Sequence, residues 1–193
     1  MQAKLSELLS SEERAFLLRL ARQAIELALN RQPQPDPDQE AISGNLEQPG
    51  ASFVTLTING ELRGCVGALE PYQPLVDDVR EHAIAAAFQD YRFPPITSDE
   101  LALIKIEISR LTIPQDLDYE TTDELIHAIR PAIDGVTLFD GPRRATFLPQ
   151  VWEKLPRTDE FLEHLCVKMG ASPDLWKRRK MRVQTYQVEE FHE

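Results

Sequence analysis

Cysteine is scarce in this chain. Two residues, Cys65 and Cys166, are too few for a disulfide framework, and both are expected as reduced thiols. There is no C-x-x-C or H-x-x-x-H pair, and His164 and Cys166 lie two apart in a helical pattern, on nearly opposite sides, so no metal is expected. P-loop, G-x-G-x-x-G and G-x-S-x-G signatures are also missing, which leaves nucleotide binding and α/β-hydrolase chemistry without support and no cofactor expected. Long apolar runs are missing too: Ala83 to Phe88 is six residues, against the roughly 20 that span a bilayer. The opening segment, Met1 to Arg14, interrupts its leucines with Lys4, Glu7, Glu12 and Glu13 and carries no export signal, so the expected location is the cytoplasm. Positive charge is outnumbered, 21 Lys plus Arg against 32 Asp plus Glu, for a net charge of −11. Such a field repels phosphate backbones and anionic lipid, so neither nucleic acid nor membrane is an expected partner. The run Lys177-Arg178-Arg179-Lys180, with Arg182 beyond it, is the exception and reads either as a patch for an acidic partner or as a solvated face.

At 193 residues, 42% apolar and 27% charged, the chain is expected to fold as one compact unit, 1–193. Ser10 and Glu13 have capping-box spacing, and Leu17, Leu20, Ala21, Ala24 and Ala28 follow on one helical face. Prolines 33, 35 and 37 end that helix, and 31–50 reads as a surface loop. From Ser52 the period becomes two: Val54, Leu56 and Ile58 alternate with Phe53, Thr55 and Thr57, Asn59-Gly60 supplies a type I′ turn, and Leu62 to Leu69 returns as a strand. Leu75 to Ala86 is a helix that stops before Arg92-Phe93-Pro94-Pro95, and Thr97 with Glu100 forms a second capping box. Ile104, Ile106 and Ile108 mark a strand whose phase slips to Leu111 and Ile113, which predicts a β-bulge near Ser109-Arg110.

Further on, Thr122 to Ile129 reads as a helix, Gly135 to Phe139 and Arg144 to Leu148 as strands, and Asp159 to Met169 as a helix stopped by Gly170. Arg182 to Phe191 reads as one last strand. Hairpins and helices without a βαβ rhythm favour an α+β fold, a mainly antiparallel or mixed sheet flanked by helices.

The least ordinary stretch is Leu62-Arg63-Gly64-Cys65-Val66-Gly67, because glycine is depleted inside strands and two of them bracket a thiol. Strict alternation puts Leu62, Gly64 and Val66 on one face and Arg63, Cys65 and Gly67 on the other. Arg63 and Cys65 are therefore the candidate catalytic pair, with the guanidinium raising the thiolate fraction and Gly67 leaving room for a ligand. The bland alternative is a small buried thiol, with glycines that allow close packing. Nucleophilic catalysis also needs a base, and His82, on the helix after the strand, is the nearest of four histidines. Arg92, in the corner Asp90-Tyr91-Arg92-Phe93-Pro94-Pro95, and Arg144, in Arg143-Arg144-Ala145-Thr146, are binding candidates; each reads equally as a helix stop or as a charged edge strand.

At these residues the chain resembles the AMMECR domain family, whose bacterial and archaeal members are called AmmeMemoRadiSam system protein A. Leu62 to Gly67 is similar to the family's hallmark motif, with Val66 where isoleucine is usual. Ala85-Ala86-Ala87-Phe88, Arg92-Phe93-Pro94-Pro95, Ile106-Glu107-Ile108-Ser109, Arg144-Ala145-Thr146-Phe147-Leu148-Pro149-Gln150-Val151-Trp152, Phe161-Leu162 and His164-Leu165-Cys166 extend the likeness over almost the whole chain. The resemblance implies two unequal lobes with the hallmark segment facing a cleft, and action beside a Memo-like protein and a radical S-adenosylmethionine (SAM) enzyme. It implies no reaction. Two functional readings follow: an accessory component that binds a partner through 62–67, or a cysteine-dependent enzyme or redox protein with Cys65 as nucleophile.

Overall fold

The computed structural model describes residues 8–34 and 44–193. Helix α1 (Ser11–Leu29) starts at the expected capping box, in which the Ser10 hydroxyl accepts from the Glu13 N–H and the Glu13 carboxylate accepts from the Ser10 N–H. It buries Leu17, Ala21, Ala24 and Ile25. The expected loop over 31–50 lies partly outside the described residues, at 35–43. Its tail is ordered earlier than expected, as a 3-10 turn at Gly44–Leu46 and the start of strand β1 (Pro49–Ile58). Asn59 and Gly60 both take positive φ, 53° and 82°, as the tight turn requires, and β2 (Glu61–Gly67) returns antiparallel. A two-residue strand, β3 (Gln73–Pro74), leads into α2 (Leu75–Phe88), and α3 (Ser98–Leu101) opens on the Thr97–Glu100 capping box.

Strand β4 (Ile104–Leu111) pairs with β1 without a break, from Ala51 opposite Leu111 to Ile58 opposite Ile104. The expected bulge at Ser109-Arg110 is therefore not there. The apolar phase slips because Arg110 takes the next core-facing place after Ile104, Ile106 and Ile108, and is buried as an ion pair with Glu189 at 3.2 Å. Glu189 also pairs with Arg14 at 2.6 Å and accepts from the Leu9 N–H, so one buried carboxylate joins three separate stretches of chain. No local pattern announces a partner 79 residues away.

The chain divides into two compact units. The first runs to Thr112 and takes back Glu189–Glu193, and the second is Ile113–Val188. In the second, β5 (Gln115–Asp116), α4 (Thr122–Ala128), β6 (Gly135–Asp140), β7 (Arg143–Phe147), α5 (Thr158–Lys168), α6 (Leu175–Arg178) and β8 (Arg182–Tyr186) follow one another. Its antiparallel sheet has the order β5-β8-β6-β7. Its core centres on Leu138, Leu165, Trp176 and the Trp152 ring, which stacks on Phe161 with centroids 3.7 Å apart. Gly170, at φ 77°, ends α5 as expected. The last expected strand is two strands: β8 stops at Tyr186, and β9 (Val188–His192) joins the first unit's sheet beside β4, in the order β2-β1-β4-β9 with β3 also on β1. Alternation continued through Gln187, so periodicity could not show where one sheet gave way to the other. The described residues thus form an α+β fold with two antiparallel sheets, and among them no helix is long and apolar enough to cross a membrane.

The basic run is neither a bare patch nor simply solvated. Lys177 pairs with Glu163, Arg178 with Asp174, Arg179 with Asp140, Lys180 with Glu120 and Arg182 with Asp116.

Candidate functional site: an edge strand held by a corner

Strand β2 lies at the edge of its sheet, and its pairing with β1 slips once. Leu56 faces Gly64 while Thr57 faces Leu62, so Arg63 is the extra residue of a β-bulge. The bulge the sequence placed on β4 is here instead, and it undoes the expected alternation. Gly64 and Val66 oppose Leu56 and Val54 on the core face; Cys65, Gly67 and, because of the slip, Leu62 oppose Thr55, Phe53 and Thr57 on the other. Leu62 is accordingly 44% exposed.

Each glycine has a physical reason. Helix α2 lies against β2 so closely that a Cβ on Gly64 would fall 2.1 Å from the Ala86 carbonyl oxygen. A Cβ on Gly67 would meet the Ser52 carbonyl at 2.3 Å and the Phe53 ring at 2.5 Å. The space expected beside Gly67 for a ligand is thus filled by Phe53. Val66 is partly buried against the core of the first unit.

An edge strand leaves every second residue's backbone groups unpaired. At Cys65 the corner after α2 supplies both partners. The Cys65 N–H donates to Asp90 Oδ2 at 2.9 Å, and its carbonyl accepts from Arg92 Nη2 at 3.2 Å. Asp90 also accepts from the Arg92 N–H at 3.1 Å, Nε at 2.9 Å and Nη2 at 2.6 Å. Bidentate contact with Arg92, reinforced by the Cys65 N–H, holds the buried Asp90 carboxyl well below the usual carboxylate range.

Arg63 is committed elsewhere. Its Nε and Nη2 donate to Glu100 at 2.7 and 3.0 Å, and Nη2 also reaches the Pro95 carbonyl at 3.4 Å. Glu100 in turn accepts from the Thr97 N–H at 2.9 Å, so the bulge residue is tied to the capping box of α3. The guanidinium beside it and the Thr97 N–H bring the Glu100 carboxyl down to about 2 from 4.5. Because the folded value is depressed, this carboxylate stabilises the fold above its unfolded value and loses that contribution as pH falls from about 4.5 towards about 2. Glu100→Gln is therefore expected to flatten the decline of urea midpoint across that window; parallel declines in both proteins would contradict the assignment. Arg63 and Arg92 also lie over the Phe93 ring, at 5.9 and 5.5 Å from its centroid.

The thiol is half-buried, and its hydrogen bond is with the Thr55 hydroxyl at 3.3 Å. The cation that reaches Cys65 is Arg92 rather than Arg63, and it engages the backbone carbonyl. His82, the expected base, is buried on α2, which covers the core face of β2. Its Nδ1 lies 3.2 Å from Asp78, whose other partner is Ser52 Oγ at 2.6 Å. Arg144 is exposed on β7 of the second unit, opposite Phe139. Cys166 is fully buried, and burial pushes its thiol up.

Three contributors went unread in the sequence: Asp90, Glu100 as an arginine partner, and the exposure of Tyr91, which is 96% accessible at the outer tip of the corner. Asp90 did carry a signal. A carboxylate just past the C-terminal end of an apolar helix is disfavoured by the helix dipole and needs a compensating donor.

These elements define an α+β protein in which a bulged Arg-Gly-Cys edge strand is clamped between a helix and an Asp-x-Arg corner. The AMMECR1 family model matches residues 18–191, and the chain belongs to that family. A protein of Methanothermobacter thermautotrophicus is 38% identical over 96% of each chain, and one of Thermofilum pendens is 36% identical over 96% of this chain and 92% of its own length. The crystal structure of an uncharacterized protein from Pyrococcus horikoshii superposes with a TM-score of 0.77 at 33% identity, covering 92% of this chain and 90% of that one.

Proposed function

We propose that this protein is a binding component whose docking element is the corner at Asp90–Phe93, held in place by the Leu62–Gly67 strand. The observation that carries this reading is the contrast between Tyr91, 96% exposed, and its immediate neighbour Asp90, which is buried and fully engaged. An exposed aromatic on a rigid support loses little conformational freedom when it is covered, which is how interface anchors act. Leu62, exposed on the same edge strand, would widen the contact. The family resemblance makes a Memo-like protein and a radical SAM enzyme the partners to test. A cysteine nucleophile is the weaker reading. The sulfur is hydrogen-bonded to a hydroxyl that is no base near neutral pH, and Arg63 pairs with Glu100 through Nε and Nη2.

Arg63→Glu is a poor test, because it would set two carboxylates against each other at Glu100. Tyr91→Ala is better, since the ring makes no contact the fold needs. Pull-down of the full chain with each partner is expected to lose binding at least about 10-fold in Tyr91→Ala, the range for a buried aromatic anchor, with an unchanged melting temperature. Cys65→Ser should bind like the wild type. Unaltered binding by Tyr91→Ala would refute the docking role, and loss confined to Cys65→Ser would favour the thiol.

A further inference from the structure

The second unit holds a hollow of about 410 Å³ lined by Phe139, Asp140, Gly141 and Arg179 to Arg182, and we propose that it binds a small organic phosphate. Its walls are set by the fold. Arg182 pairs with Phe139 in the β6–β8 ladder, and Gly141, at φ 59°, turns β6 into β7 with nothing within 4 Å of where a Cβ would stand. Strand starts therefore place Arg143 and Arg182, while Arg179 and Lys180 lie in the short connection between α6 and β8.

The charges are unusual for this chain. Arg143, Arg179, Lys180 and Arg182 gather around the hollow, each paired with a carboxylate of Asp116, Glu120 or Asp140, and Asp118 also acts on Lys180. Four cations meet four anions there, a local balance in a protein whose net charge is −11. Asp140 is buried and shared by Arg143 and Arg179, so its charge is answered twice. Arg179 pairs with it, and its side chain is 55% exposed. A guanidinium carries five N–H donors in a planar fork suited to phosphate oxygens. Arg182 lies over the Phe139 ring at 4.9 Å, which holds its plane while Asp116 takes one edge. The volume is within the range of small-molecule sites and exceeds what a bare phosphate fills, which points to an organic phosphate.

The test is titration of the full chain with ribose 5-phosphate and, separately, inorganic phosphate, followed by amide chemical shifts. Ribose 5-phosphate is expected to give saturable shifts centred on Gly141 and residues 179–182, weakened by added salt as a charge-driven contact must be. Arg179→Gln should weaken the affinity at least about 10-fold, the worth of a charge-assisted hydrogen bond. Lys154→Gln, outside the lining, should leave it unchanged, and unaltered melting would show that both variants are folded. Absence of saturation, shifts spread over other basic residues, or indifference to Arg179→Gln would overturn the site. Binding of inorganic phosphate but not of ribose 5-phosphate would overturn the class of ligand.

Discussion

Gly64→Ala is expected to lower stability by about 3 kcal/mol, the upper range for forcing a methyl group into packed structure. The reason is what the methyl would meet. A Cβ at this position would stand 2.1 Å from the Ala86 carbonyl oxygen, and a backbone atom in mid-helix cannot rotate away as a side chain can. Either α2 retreats from the sheet and leaves Val79, Ala83 and Ala86 loosely packed, or β2 leaves its ladder. For a chain of this size such a loss corresponds to roughly 6 to 12 °C in melting temperature. Gly60→Ala is an instructive comparison. A Cβ there has nothing within 4 Å, and its penalty comes only from the positive φ of 82°, about 1 to 2 kcal/mol. Equal effects of the two substitutions would contradict the packing argument.

Asp90→Ala should cost about 2 to 3 kcal/mol, because it strands the Cys65 N–H and removes a charge-assisted pair in one step. That corresponds to roughly 4 to 12 °C in melting temperature. Four donors converge on this carboxylate, three from Arg92 and one from Cys65, whose amide faces away from β1 at the sheet edge. The side chain of Arg92 is 43% exposed, so its charge finds water when Asp90 is lost, which keeps the cost below that of a fully buried ion pair. Asp90→Asn separates charge from shape. It keeps an oxygen for the Cys65 N–H, so it should lose less than Asp90→Ala, and chemical denaturation of the three proteins orders them. If Asp90→Asn were as damaging as Asp90→Ala, the hydrogen bond to Cys65 would carry little of the clamp.

What could be read from the sequence was local. The hairpin at Asn59-Gly60 and both capping boxes depend on residues three or four apart, and the structure has them where periodicity placed them. Helix α2 likewise ends before Arg92-Phe93-Pro94-Pro95, at Phe88. The errors were non-local. The phase slip on β4 read as a bulge because Arg110 looked like a solvent-facing residue, whereas Glu189 from the far end of the chain lets it stay buried. The real bulge, at Arg63, left no trace in the alternation, since Leu-Arg-Gly-Cys-Val-Gly reads the same whichever face its first residue takes.

The site was only half legible for the same reason. Two glycines around a cysteine drew attention to the strand that the corner clamps, and the pairing of Arg63 with Cys65 followed from unbroken alternation, which the slip between Leu56 and Thr57 removes. Arg63 then reaches Glu100, and the corner residue Arg92 takes the place beside Cys65. Here the glycines are best understood as conditions for close packing. Gly64 admits the helix and Gly67 the Phe53 ring, and together they let the strand lie where Asp90 can hold it.

In the proposed function the six-residue motif supports the corner while the corner meets a partner. Amide hydrogen exchange of the full chain, alone and with a Memo-like or radical SAM protein as the proposed partner, tests both halves together. The account predicts a Cys65 amide that is already slow in the free protein, because Asp90 holds it, and new protection on complex formation at residues 90–93. A Cys65 amide that exchanges like an open strand edge, or protection gained away from the corner, would contradict it.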